Sequence, residues 1–444
     1  MNRVFMLSAL LACSLHAAEP LPLTLEQAIA AGIEKNHALC VARFRTDAAT
    51  ARAGEAGTAL LPGLRFAGNY TKLSPGEFIL STPAAPAPLR VAPVVDNTYV
   101  FRLGVQQPLF TGFRLTALAD AAEAQSQASA LELTMSTADL VLTVSSAYWT
   151  LYQAERLGSL AGENVRRLTS YRADVGRLME AGLATRNDLL KIEVQLAGAR
   201  LAQIDAENER QLAGMTLNNA MGESLDLPVV PISDPLETAH DTLLALAVAG
   251  NDSVLADRAA VERGDLIAAG WMTEAARAGV TAARGSWWPQ IDLTANYYYS
   301  RPNSRYQPVT PEFLGSWDVA LNLAMDLWNW GRTGYTVDQA EAALKQSEQQ
   351  NAQTRENVNL EVRRAALTVR RSREKLDVAR LGVDQARENL RITEEIFRSG
   401  LVTSSELLDA QVALTQAETS LVAASVEAAL AGARLSRAVG RGRL

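Results

Sequence analysis

The sequence predicts a mainly α-helical protein with a small β part, built as two copies of one plan. Three observations carry this. First, proline is absent between Pro108 and Pro228 and again after Pro311, so two long tracts hold no helix breaker. Second, Gly182 and Gly400, Arg114 and Arg332, and Gly222 and Gly440 are each 218 positions apart; a shift held without a gap over that span is an internal duplication. Third, four segments of about ten residues alternate apolar and polar side chains, the period of a strand with two unlike faces.

In chain order, Asn2-Arg3 precedes an apolar run from Val4 to Leu15 and the small residues Ala17 and Ala18. Residues 1–18 therefore read as a secretory signal peptide, excluded from the fold. Leu10-Leu-Ala-Cys13 also approaches a lipoprotein signal, so removal of Cys13 and its acylation both stay open. With Cys13 gone, Cys40 is the one remaining thiol and no internal disulfide is possible.

The first repeat is expected over 19–222. Helix is predicted over 24–60, capped by Thr24 and broken near Asn36-His37. A strand follows at 64–73, then a Pro-rich exposed loop at 74–97 and a second strand at 98–108. A helical hairpin occupies 113–222. Its first helix ends near Glu180, which at 1.5 Å per residue makes it roughly 100 Å long. Its seam is heptad-like: Leu140, Ala147, Ala154, Ala161, Leu168 and Val175, with Val144, Leu151, Gly158 and Val165 between. Pro228, Pro231 and Pro235 mark a non-helical connector at 223–238. The second repeat, 239–444, brings strands at 291–301 and 316–326 and a hairpin at 332–440. Its last helix alternates Leu407, Leu414, Leu421, Ala428 and Leu435 with Ala410, Ala417, Ala424, Ala431 and Ala438. The arginines at 363, 364, 370, 371 and 373 read as a solvated helix face.

Each hairpin turns at a matching tip, Glu180-Ala-Gly-Leu-Ala-Thr185 and Arg398-Ser-Gly-Leu-Val-Thr403. Gly182 and Gly400 suit the left-handed residue that ends a helix. Thr185, and Thr403 or Ser404, suit the cap of the next one, with Asp188 or Glu406 in its first turn.

Ten residues is the length of a tilted strand that crosses a bilayer. Four such strands cannot close a barrel, because the smallest barrels have about eight. An open edge in lipid would leave N–H and C=O groups without partners. Either several chains share one barrel, or the strands form a soluble sheet packed on helices. Tyr70, Tyr99, Tyr297, Tyr299 and Trp317 near strand ends suit an interfacial aromatic belt.

Taken together, Leu23-Thr-Leu-Glu-Gln-Ala-Ile29, Leu61-Pro62, Pro108-Leu-Phe-Thr-Gly112, Asp326-Leu-Trp-Asn-Trp-Gly-Arg332 and the paired Gly-Leu-x-Thr tips resemble the TolC-type outer-membrane efflux protein family. The likeness runs from Leu23 to Gly440. It implies a homotrimer with a twelve-stranded transmembrane β-barrel in outer-membrane lipid, continued by a periplasmic α-barrel. It implies an exit duct of a tripartite efflux pump or type I secretion system, served by a periplasmic adaptor (membrane fusion protein) and an inner-membrane transporter of RND, ABC or MFS type. By motif position, Gly182, Leu183, Thr185, Gly400, Leu401 and Thr403 would contact the adaptor, and Asp188, Glu406 and Asp409 would form the periplasmic gate. Some family gates tie an Asp at the position of Asp188 to a Tyr and an Arg; Phe397 and Val402 stand at those two places.

Net charge is −7, without a basic patch interleaved with aromatics, which argues against nucleic acid. Three histidines (His16, His37 and His240) form no cluster with metal-ligand spacing, and no phosphate loop or nucleophile elbow occurs, so neither an enzyme nor a bound cofactor is expected. Eight methionines do not suggest a copper or silver duct; drugs, polypeptides and small metabolites all stay open as cargo. The alternative is a periplasmic coiled-coil adaptor or scaffold, which explains the hairpins but not the strands.

Overall fold

A computed structural model describes residues 21–74, 79–80, 89–90, 95–235, 252–399 and 401–440. The expected signal peptide with Cys13 and His16, and also His240 and Gly400, lie outside the described residues. The described elements are β1 (Leu21–Leu23), α1 (Leu25–Lys35), α2 (His37–Thr58), β2 (Gly63–Lys72), β3 (Ile79–Leu80), β4 (Leu89–Arg90), β5 (Asn97–Phe110), α3 (Arg114–Glu180), α4 (Arg186–Met221), β6 (Val229–Pro231), α5 (Asp252–Glu262), α6 (Gly264–Arg284), β7 (Gln290–Arg301), β8 (Leu314–Ala324), α7 (Arg332–Arg398) and α8 (Ser404–Val439). The mainly α reading with a small β part holds. No helix among the described residues is long and apolar enough to cross a membrane.

The chain divides into two compact units, each drawing on both sequence halves. One comprises residues 1–42, 134–263 and 356–444; the other comprises 43–133 and 264–355.

The first unit is mainly helical and holds the largest fully buried side chains of the described chain, among them Tyr148, Trp149, Leu151, Ile192, Met221, Leu407 and Leu435. Along α3 the seam residues Leu140, Ala147, Ala154, Leu168 and Val175 are buried; along α8, Leu407, Leu414, Ala428 and Leu435 are buried with Ala410, Ala424, Ala431 and Ala438. The alanines keep these contacts thin, which allows close helix approach. The arginines at 363, 364, 370, 371 and 373 are exposed.

α1 opens on a reciprocal cap. Gln27 N donates to Thr24 Oγ1 at 3.2 Å, and Thr24 N donates to Gln27 Oε1 at 3.0 Å. Asn36 makes the break before α2: its Oδ1 accepts from Ala38 N at 2.9 Å, and its Nδ2 donates to the carbonyl of Ala220 at 2.9 Å. Gly222 ends α4 at φ 77°, so close to this break that a Cβ there would sit 2.7 Å from the carbonyl oxygen of Lys35. The later half has the same joint. Arg263, fully buried, donates to the carbonyl of Ala438 at 3.1 Å and pairs with Glu361 at 3.0 Å. A Cβ on Gly440, φ 93°, would meet the Glu262 carbonyl at 2.9 Å.

Two strand pairs were not expected. β1 runs parallel to β6, inside what reads as a non-helical connector. Tyr148 clamps that pair: its hydroxyl donates to Leu23 O at 2.8 Å and accepts from Ile232 N and Ser233 N at 3.1 and 2.9 Å. β3 and β4 pair inside the segment expected to be loop. Strands of two or three residues are too short for a period to register.

The second unit carries an antiparallel sheet in the order β2-β5-β7-β8. Its strands match the four expected, with shifted ends. β5 extends to Phe110 through a bulge after Pro108. β8 runs Leu314–Ala324, so Met325 and Asp326 fall outside it; the Asp326 carboxylate accepts instead from Arg332 Nη2 at 3.0 Å, in the turn into α7. Register places Leu64, Phe66, Tyr70, Phe101, Leu103, Tyr297, Trp317, Val319, Leu321 and Leu323 on one face. Those side chains are uncovered, with Phe66, Trp317, Leu321 and Leu323 between 66% and 69% exposed. The opposite face is polar: Arg102 Nε donates to Asn296 Oδ1 at 2.8 Å, and Asn296 Nδ2 donates to Asp318 Oδ1 at 2.8 Å. An exposed apolar face this extensive is not a water-facing surface.

Candidate functional site at the hairpin tips

Both tips close by the same backbone rule. After α3, Leu183 N donates to Leu178 O at 2.8 Å and Gly182 N to Met179 O at 3.0 Å, with Gly182 at φ 75°. After α7, Leu401 N donates to Ile396 O at 3.2 Å. These bonds satisfy carbonyls that a helix end leaves open.

The next helices begin on reciprocal caps. Asp188 N donates to Thr185 Oγ1 at 3.2 Å while Thr185 N donates to Asp188 Oδ2 at 3.0 Å. Glu406 N donates to Thr403 Oγ1 at 3.3 Å while Thr403 N donates to Glu406 Oε2 at 2.7 Å. Thr403, rather than Ser404, is thus the second cap. The turns leave Leu183 and Leu401 on the surface, 77% and 79% exposed.

Ser404 has a different task. Its hydroxyl donates to Asp188 Oδ1 at 2.7 Å, joining the first turn of α8 to the first turn of α4. Beside it, Lys191 Nζ donates to Ser405 Oγ at 2.9 Å. The hydroxyls of Thr185 and Ser404 and the Thr185 N–H hold the Asp188 carboxyl well below the usual carboxylate range, at about 2. Asp188 is therefore an anion already consumed by three donors. Glu406 and Asp409 are exposed, one turn apart on α8. Phe397 packs into the apolar cluster beneath the tips with Leu168, Tyr171, Ile192, Leu407 and Leu408.

A second polar link lies next to this cluster. Tyr171 OH donates to Glu394 Oε1 at 2.5 Å, joining α3 to α7, and burial together with that carboxylate pushes the Tyr171 hydroxyl pKa up. Of the nine positions singled out from sequence, the structure brings Asp188 into contact with the opposite tip. It leaves Glu406 and Asp409 on the surface, and Gly400 lies outside the described residues. Sequence reasoning missed Ser404 as a cross-tip donor, and missed Lys191, Ser405, Tyr171 and Glu394. Their partners are more than 200 positions away, so no local pattern marks them.

This fold has known counterparts. The family model described as "Outer membrane efflux protein" matches residues 29–223 and 255–441. The outer membrane efflux protein BepC of Brucella suis is 24% identical over 354 residues, 75% of this chain and 72% of that protein. The alkaline protease secretion protein AprF of Pseudomonas aeruginosa is 26% identical over 356 residues, 76% of this chain and 69% of that protein. Among solved structures, CusC superimposes with a TM-score of 0.77 at 18% identity, covering 96% of this chain and 95% of that one. With two matched blocks that take in both hairpins and all four long strands, the chain belongs to the outer membrane efflux protein family.

Proposed function

We propose that this protein is the outer-membrane exit duct of a tripartite efflux pump or a type I secretion system. It conducts cargo passively from a periplasmic adaptor and an inner-membrane transporter of RND, ABC or MFS type to the exterior of a Gram-negative cell. Family membership carries the location and the channel class, and a channel of this kind is not an enzyme. BepC is an efflux protein by name and AprF a secretion protein, and the inner partner selects between such cargoes.

The observation that carries the rest is the four-stranded sheet with an uncovered apolar face and with β2 and β8 as edge strands that no further strand pairs among the described residues. In hydrocarbon those edges need partners, and four strands cannot supply them to one another. Three copies would close twelve strands in outer-membrane lipid. The division into repeats at 19–222 and 239–444, joined by 223–238, belongs to this reading; the paired joints at Asn36 and Arg263 support it.

Gly182, Leu183 and Thr185 with Gly400, Leu401 and Thr403 form the adaptor-contacting tips, a role favoured by the exposure of the two leucines. Asp188, Glu406 and Asp409 form the periplasmic gate. Three copies of Glu406 and Asp409 would ring a constriction with negative charge that favours cations. The test is membrane fractionation, detergent extraction and mass determination. An outer-membrane particle of three chain masses is expected. A soluble monomer or dimer would refute the shared barrel.

A further inference from the structure

One edge of the sheet is already occupied, by the chain's own β7–β8 connection. Along a strand, successive residues turn their hydrogen-bonding groups to opposite sides. Ala320 O faces β7, where Thr294 Oγ1 reaches it at 3.5 Å. Gly315, Trp317, Val319, Leu321 and Leu323 alternate with Ala320 and turn to the open side. Yet the carbonyls of Gly315 and Trp317 are not open. Tyr306 OH donates to Gly315 O at 2.9 Å, and Arg305 Nη1 donates to Trp317 O at 2.6 Å.

The connection is built to hold this pose. Arg305 Nη2 pairs with Asp318 at 2.9 Å. Asn303, only 3% exposed, accepts from Arg305 N at 3.0 Å and donates to Leu314 O and Ser316 Oγ at 3.0 Å. Exposed strand edges invite unwanted pairing, and a charged side chain or covering loop is how proteins blunt them.

We propose that Arg305 and Tyr306 form an edge guard, which covers the outer part of β8 in the unassembled chain and is displaced by β2 of a second copy. This rests on the reading that three chains share one barrel. The occupant is set by complementarity: β2 is antiparallel to β8 through the ladder, is ten residues long, and is exposed at every position. Among the described residues, the guard's bonds fall on the carbonyls of Gly315 and Trp317 and leave those of Val319, Leu321 and Leu323 to the open side. A tilted strand needs about nine to eleven residues to cross a bilayer, with every edge group paired. A guarded β8 therefore makes too short a seam, and the neighbour's β2 must take the carbonyls of Gly315 and Trp317. Aligning the two apolar faces end to end sets Leu64 against Leu323 and Tyr70 against Trp317.

Cysteine pairs in the full-length chain test this in membranes. The inner pair is Leu64→Cys with Leu323→Cys; the outer set is Trp317→Cys with Gly68→Cys, Tyr70→Cys or Lys72→Cys. Disulfides between copies are expected for the inner pair and for one outer pair. An inner bond without any outer bond means the guard stays in place, which overturns the proposal and leaves the trimer standing. No bond at either end removes the shared barrel and the guard together. Independently, Tyr306→Phe is expected to speed trimer formation in phospholipid vesicles about fivefold, the factor carried by one hydrogen bond, and Arg305→Ala, which also loses the Asp318 pair, by at least as much, neither changing the final yield. An unchanged or slower rate refutes the guard.

Discussion

Replacing Ser404 with alanine isolates the link between the two hairpin tips. Ser404 is 5% exposed, and its hydroxyl has a carboxylate oxygen of Asp188 as partner at 2.7 Å. A hydrogen bond to a charged group contributes about 1.5–3 kcal/mol. Asp188 is only half-buried and keeps its bonds to Thr185, so it is not orphaned; the expected loss is about 1–2 kcal/mol per chain. That is a factor of about 5–30 in the ratio of closed to splayed tips. Single-channel recording in planar bilayers is expected to show longer dwell in a wider state for Ser404→Ala, with Ser404→Thr restoring most of the closed time. The pH dependence has a definite sign. The carboxyl of Asp188 is held at about 2, against 3.8 unperturbed, so its stabilisation is complete above about pH 4 and is lost as pH falls through about 2. Ser404→Ala shifts that loss to higher pH. Conductance and pH profile identical to the wild type would refute the tie.

Three other outcomes follow from the same structure. Glu406→Ala with Asp409→Ala is expected to raise conductance or weaken divalent-cation block; unchanged values of both would remove these residues from the gate. Gly440→Ala places a Cβ 2.9 Å from the Glu262 backbone at φ 93°, and is expected to cost about 2 kcal/mol or more, read as a lower thermal midpoint. The same change at Gly270, where a Cβ meets nothing within 4 Å, serves as the control and should not destabilise. Tyr148→Phe removes one hydroxyl that serves three backbone groups, one of them buried, and is expected to cost about 1–3 kcal/mol and raise hydrogen exchange at Ile232 and Ser233. Unaltered exchange there would mean that β1 and β6 hold without Tyr148.

Much of this protein is written in local order. The Pro-free tracts, the heptad seams of α3 and α8, the alternation of the four long strands and the caps at Thr24, Thr185 and Thr403 are all near-neighbour patterns. Helix and strand periods are set by side chains a few positions apart, so those elements can be read directly from residue order. Only packing fixes which distant groups meet. Asn36 and Arg263 face the carbonyls of Ala220 and Ala438, Tyr148 clamps β1 to β6, Ser404 meets Asp188, and Arg305 reaches back to the edge of β8. Serine, asparagine and arginine suit many partners, and a hydrogen bond has no period along the chain. Their roles exist only once packing has fixed which donor lies within 3 Å of which acceptor.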